Sequence, residues 1–420
     1  MGYLKENLFN NETMQLENYI MFRLKEDAAR LTPELVKRDR KPIFLSMGAP
    51  TANPPQKLLN DLKASLDKSG IHTYSSPKGE KYFRDAVQLR MKNRFGVELD
   101  ADREIFSLIG SKEGLANLIK SICTSRENEK EKDIILTPDP CYASYWQFIK
   151  VAGGLAYPMP LTQENNYMPD PDDILGKLIS QGYNPEKIKA LIVNYPSNPL
   201  GAVATKEYMQ KIVDFCKNHG ILLISDAAYA DIYSEKKYRP FSVFELEGAK
   251  DIAVEFFSFS KPYAITGWRI GWVCGNGEVV QRFGKYKSTI DNGAFKGIQL
   301  ACAEILNSKE GDDYIKQSNI DFARKQNILV KGLKELGWPV DEASIPKTTF
   351  YLWLPIPENF NNAMEFCKAL MEKSGIVIVP GSAFGNYGEG FFRVSCVCSD
   401  EELYQVIDRM KKDGFYYNKK

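Results

Sequence analysis

Histidine is nearly absent from the 420-residue sequence: only His72 and His219 occur, too few for a histidine-rich metal centre or a histidine-based catalytic triad. Long apolar runs are also missing. No stretch reaches the roughly 18 consecutive apolar residues that a membrane-spanning helix needs. Neither sign of charge dominates: 55 basic residues face 54 acidic ones, so bulk electrostatics give no route to nucleic acid or membrane. The eight cysteines, at 123, 141, 216, 274, 302, 367, 396 and 398, lack the spacing of a zinc site or a disulfide framework. Several lie in apolar runs such as RVSCVC, where a reduced thiol acts as a small hydrophobe. The polar start MGYLKENLFNNETMQ has no secretory-signal core or cleavage site, which with the reduced thiols predicts a cytoplasmic protein. Internal repeats and low-complexity linkers are absent too.

What is present suits a globular chain long enough for two domains, with 44% hydrophobic and 12% aromatic residues. Residues 15–40 are helical in pattern, with Leu16, Ile20, Leu24, Ala28 and Leu31 spaced by threes and fours. From about residue 100, short apolar runs alternate with amphipathic helices. Strands are expected at 105–109, 134–137, 190–195, 221–225, 253–258 and 270–274, and helices at 112–123 and 205–219. Continuous apolar strands separated by helices predict an α/β domain with a mainly parallel sheet covered on both faces. Past about residue 305 the order changes to a long helix, TTFYLWL, the helix AMEFCKALMEKSG, IVIVPG, FFRVSC, and a last helix opened by a capping box at Ser399. The chain therefore divides into residues 1–52 (an arm and part of a smaller α+β domain), a large domain at 53–305, and the rest of the smaller domain at 306–420. The strand KPIFLSMG is expected to pack with that smaller domain.

The unusual residues gather just after strand ends, where ligands sit in such sheets. In EFFSFSKPYAITGWRIGW, Lys261 follows a strand that ends at Ser258, and Arg269 comes eight residues later. A lysine that forms an imine must be partly neutral, which a nearby cation and a restricted environment favour. Arg269 and Ser258 suit a phosphate. Asp226 follows ILLIS, a costly place for an unpaired carboxylate, and a protonated ring nitrogen is one partner for it. Tyr229 comes three residues on. In NYPSNPLG a rigid turn holds Asn198. In LIGSKEGLANL, Ser111 and Lys112 open a helix whose first amides suit a phosphate. Tyr142 can stack on a flat ring. Each segment alone also has a plain structural reading: a solvated Lys and Arg, a helix-capping Asp, ordinary turns. Together they supply an amine, a counter-charge, a phosphate cradle and a stacking ring.

The order SNPLG, Asp226-x-x-Tyr229, SFSK and GWRIG resembles the fold-type I pyridoxal-phosphate aminotransferases of class I and II along nearly the whole chain. The resemblance implies pyridoxal 5'-phosphate as cofactor, a seven-stranded sheet between helices, and Lys261 bonded to the cofactor as an imine. It implies Asp226 at the ring nitrogen, Tyr229 and Asn198 at the ring oxygen, and Tyr142 stacked on the ring. Ser111, Lys112, Ser258 and Arg269 would hold the phosphate, joined by Tyr74 of HTYSSPKG reaching across a homodimer. Arg393 of FFRVS would clamp the substrate α-carboxylate, with Asn198, Gly48 and Lys112 also at the substrate. The implied reaction moves an amino group between an amino acid and a 2-oxo acid, such as 2-oxoglutarate, in two ping-pong stages.

The segment SVFELEGAKDIAVEFFSFSK further resembles LL-diaminopimelate aminotransferases. Those enzymes carry a longer, glutamate-bearing loop where this chain has SSPKG, so aspartate, alanine and aromatic donors stay open. STIDNGAFKGIQ has no arginine of the kind that binds a distal carboxylate in some aspartate aminotransferases, which leaves Lys112 as the nearest group for that task. A carbon–sulfur β-lyase would use the same Lys261. A cofactor-binding regulator would need a DNA-binding domain for which the chain leaves little room.

Overall fold

The computed structural model describes residues 9–14, 16, 20–341 and 344–418. The strands in chain order are β1 (Ile43–Phe44), β2 (Ile105–Leu108), β3 (Ile134–Asp139), β4 (Leu155–Pro160), β5 (Ile188–Val193), β6 (Leu222–Asp226), β7 (Ala253–Ser258), β8 (Gly271–Gly275), β9 (Tyr351–Pro355), β10 (Ile376–Val377), β11 (Val379–Pro380) and β12 (Phe391–Ser395). Seven of them form one sheet in the order β2-β8-β7-β6-β5-β3-β4. The β7-β6, β6-β5, β5-β3 and β3-β4 pairs are parallel, whereas β8 runs antiparallel to both β2 and β7. All of β3 and β7 is buried, as strands covered on both faces must be.

This polarity places the site. The carboxyl ends of β2, β3, β5, β6 and β7 lie along one edge of the sheet. Because β8 runs the other way, the residues that precede it, Arg269 among them, arrive at that same edge. The sequence pattern thus becomes a geometric one.

The smaller unit is a three-stranded antiparallel sheet, β11-β12-β9, beside the parallel pair β1-β10. Leu45 donates its N–H to Val377 and accepts from Ser395, so the KPIFLSMG segment is stitched into this unit. One apolar cluster runs from Leu58 to Ile315, and a separate one joins Ile43 and Leu45 to residues from Leu329 to Phe415. The 27-residue helix Lys309–Glu335 connects them, contributing Ile315 to the first and Leu329 and Leu333 to the second.

Several expected boundaries shift. The strand β4, LAYPMP, was not expected. It lies at the sheet edge, where its two prolines leave no central ladder bond unmade. The strand expected at 190–195 runs from Ile188 to Val193, and that expected at 270–274 from Gly271 to Gly275. TTFYLWL becomes strand only at Tyr351, because Thr349 adopts a left-handed φ of 62°. IVIVPG is split: β10 pairs with β1 and β11 with β12. The N-terminal helix is Ile20–Lys37; of its expected start, Gln15 and residues 17–19 lie outside the described residues.

Candidate active site

A cavity of about 340 Å³ opens at the carboxyl edge of the sheet. Asp226, the last residue of β6, enters it nearly fully buried. Its Oδ2 accepts from the Tyr145 hydroxyl at 2.6 Å and its Oδ1 from the Ala228 amide at 3.2 Å. Burial raises its pKa, while Tyr145, the Ala228 amide and Lys261 pull it back. A carboxylate so placed is costly without a cation, and a protonated ring nitrogen answers that need.

Lys261 reaches the same cavity from the loop after β7, where its Nζ donates to the Gly48 carbonyl. Burial, then the charges of Arg393 and Arg269, lower its pKa to about 8 against the opposing pull of Asp226. A buried amine with that pKa is partly neutral near physiological pH, as an imine-forming lysine must be.

Arg393 projects from β12 and is almost entirely buried. Its Nη1 donates to Asn198 Oδ1 at 2.7 Å and its Nη2 to the Ser46 carbonyl at 2.8 Å, while Nε has no partner. The guanidinium also lies over the Tyr351 ring, 4.3 Å from its centroid. The Tyr229 hydroxyl bonds the Tyr351 hydroxyl at 2.8 Å. Asn198 is fixed by its own amide, which donates to Asn194 Oδ1 at 2.9 Å.

At the other end, Gly110 precedes the helix Ser111–Ile122 with a φ of 94°. A Cβ there would lie 2.2 Å from Arg269 Nη2, so only glycine allows the guanidinium against the helix start. Arg269 itself has a φ of 55°, a conformation that costs a non-glycine residue about 1–3 kcal/mol and persists where the surroundings impose it. Ser111, Lys112 and Ser258 line the cavity here, and Tyr142 forms a further wall. Burial, then Arg269, lowers the Lys112 pKa.

The cavity therefore gathers four cationic side chains, Lys112, Lys261, Arg269 and Arg393, around one carboxylate, Asp226. That imbalance fits a group bringing its own anions: a phosphate at the Gly110–Arg269 end and a carboxylate at Arg393. Pyridoxal phosphate with an amino-acid substrate has this charge pattern, with a ring nitrogen for Asp226 and an aldehyde for Lys261.

Of the residues singled out from sequence, Gly48 and all the strand-end groups line this cavity. Tyr74 does not: it is 84% exposed and stands outside. Sequence reasoning missed Tyr145 and Tyr351. Tyr145 stands three residues after Tyr142, at the start of the helix Ser144–Ala152, and that spacing is the only local signal for it. Tyr351 arrives from β9, and no local pattern marks it. Among the described residues all eight cysteines are unpaired, and no helix is long and apolar enough to cross a membrane.

Residues 40–410 match the sequence family Aminotransferase class I and II. The chain is similar to the LL-diaminopimelate aminotransferase of Halothermothrix orenii, at 37% identity over 375 residues that cover 89% of this chain and 92% of that protein. It is similar to LL-diaminopimelate aminotransferase 2 of Trichormus variabilis, at 38% over 377 residues covering 90% and 92%. Among solved structures it is similar to apo-BacF from Bacillus subtilis, with a TM-score of 0.89 and 28% identity over 98% of this chain and 100% of that one.

Proposed function

Because the chain belongs to the class I and II aminotransferases, which are pyridoxal-phosphate enzymes, we propose that it transfers the amino group of a carboxylate-tipped amino acid to 2-oxoglutarate. LL-diaminopimelate, the substrate in the names of its relatives, is the first donor to test. The observation that carries the reading is the convergence of Lys261, Asp226 and Arg393 on one cavity with an excess of positive charge.

When bound, pyridoxal phosphate takes up the amino group and the electron pair left as the Cα–H bond breaks. Lys261 would hold the cofactor, and its Nζ, once free, would remove the Cα proton, a role suited to a pKa of about 8. Asp226, whose two oxygens accept from the Tyr145 hydroxyl and the Ala228 amide, would hold the proton on the ring nitrogen. Tyr229, oriented by Tyr351, and Asn198 would bind the ring oxygen. Ser111, Lys112, Ser258 and Arg269 would hold the phosphate, with Tyr142 against the ring face. Arg393 clamps the α-carboxylate with two parallel bonds beside Gly48 and Asn198. Lys112 has a stem long enough to serve a distal carboxylate as well as the phosphate.

The same reading divides the chain into residues 1–52, 53–305 and 306–420, a division the two apolar clusters support. It includes a homodimer with Tyr74 at the neighbour's phosphate, and the unpaired thiols support a reducing, cytoplasmic location.

Loading the protein with cofactor and adding one amino acid at a time tests the substrate. A productive donor converts the cofactor's visible absorbance to that of its aminated form and yields the matching 2-oxo acid. Conversion by diaminopimelate, glutamate or aspartate but not by alanine supports a carboxylate-tipped donor. Preference for alanine contradicts it. Pyruvate and ammonia released from a β-substituted donor would point instead to a carbon–sulfur β-lyase.

A further inference from the structure

Asp139 ends β3, its backbone locked in the parallel ladder with β4 at Pro160. Its side chain is nearly fully buried and turns away from the large sheet to the smaller unit. Oδ1 accepts from the Tyr387 amide at 3.1 Å and Oδ2 from the Asn386 amide at 3.2 Å, both in the turn 381–388 that follows β11. Two residues on, the Cys141 amide donates to the Phe384 carbonyl at 2.9 Å. Three bonds thus cross between the units within one short stretch, residues 139–141 against 384–387. A Cβ on Gly385 would lie 2.0 Å from Asp139 Oδ1, so the carboxylate occupies the space a side chain would need.

Burying a carboxylate is costly, and burial raises the Asp139 pKa to about 6 against the pull of the two amides. Apolar packing would close the same seam without that cost. What the carboxylate adds is direction, because its two acceptors fix two amides and with them the turn that carries both.

That turn reaches the active cavity. Phe384 lines it together with Arg393 and Tyr142. The Phe384 ring centroid lies 4.8 Å from the Arg393 guanidinium carbon, in cation–π contact, and Tyr142 stands three residues after Asp139. One clasp therefore joins the wall beside the carboxylate-binding arginine to the wall beside the ring.

We propose that Asp139 is a positioning residue for the substrate: by clasping the turn 384–387 it holds Phe384 against Arg393, and so fixes the guanidinium where a substrate α-carboxylate arrives. The inference rests on the reading of Arg393 as the α-carboxylate clamp. It gives Asp139 no contact with substrate and no part in proton transfer.

Asp139→Asn tests it, because the new side-chain NH2 meets an amide donor where an oxygen accepted. The cofactor-loaded protein is titrated with L-alanine, with L-glutamate and with ethylamine, which is alanine without its carboxylate, and the cofactor's visible absorbance is followed. The concentration giving half the change should rise about tenfold for both amino acids, the loss of one charge-assisted bond, and stay within about twofold for ethylamine. Cofactor affinity should hold as well. Gly385→Ala, which displaces the carboxylate from the opposite side, should give the same pattern and serves if Asp139→Asn fails to fold. An equal rise for alanine and ethylamine would make Asp139 a general packing residue, and no rise for alanine would detach it from the site; either result overturns the inference. Wild type unresponsive to both amino acids would overturn the amino-transfer reading, and this inference with it.

Discussion

Burial first, and then the charges of Arg393 and Arg269 crowded into the same small volume, make the Lys261 amine easier to deprotonate. Its neutral form is the one that attacks an aldehyde, and that fraction grows as pH rises through the pKa in the folded chain. Cofactor uptake by the apoprotein should therefore accelerate with pH, reach half its limiting rate near pH 8, and level off above. Stopped-flow absorbance measures this, and a rate still climbing toward pH 10.5, the ordinary lysine value, would contradict it. Asp226 depends in turn on Tyr145, whose hydroxyl is 2.6 Å away and fully buried. Tyr145→Phe removes a bond to a charged acceptor, a change of about 1.5–3 kcal/mol, or roughly ten- to a hundredfold in kcat. Protein and cofactor should stay linked, and the acid limb of the kcat–pH profile should move to higher pH, because Asp226 becomes easier to protonate. An unmoved acid limb would reduce Tyr145 to a packing residue. Tyr145 and Tyr351 escaped the sequence reading for one reason. Motifs reveal groups at strand ends, whereas these two tyrosines act on those groups from other elements.

At the scale of elements, the site follows from strand direction. One reversed strand, β8, brings Arg269 to the edge where the other strands end, opposite the start of the helix Ser111–Ile122. Gly110 is the hinge of that arrangement, since its φ is positive and a side chain would strike Arg269. Gly110→Ala should weaken cofactor binding at least tenfold while the far-ultraviolet circular dichroism stays native. Unchanged affinity would show that Arg269 does not need the close approach. The apolar strands of the sheet interior were legible because burial on both faces leaves an uninterrupted apolar run. The edge strand β4 was hidden by its prolines, and the strands around Thr349 and Ile378 by breaks that only tertiary pairing explains.

For the whole molecule, the division between two apolar clusters leaves Arg393 on the smaller unit facing Lys261 and Asp226 on the larger one. Tyr74 is the exception to the convergence, and its 84% exposure accords with a role in a second copy of the chain. Sedimentation should find a dimer, and Tyr74→Phe should weaken cofactor binding about tenfold without changing that mass. A fully active monomer would contradict the shared site. Whether Lys261 carries the cofactor is read out by borohydride reduction of the loaded protein followed by peptide mass analysis. Reduction should yield a single pyridoxyl-modified peptide containing Lys261, and none in Lys261→Ala; label on another lysine, or label that survives in Lys261→Ala, would rule that role out.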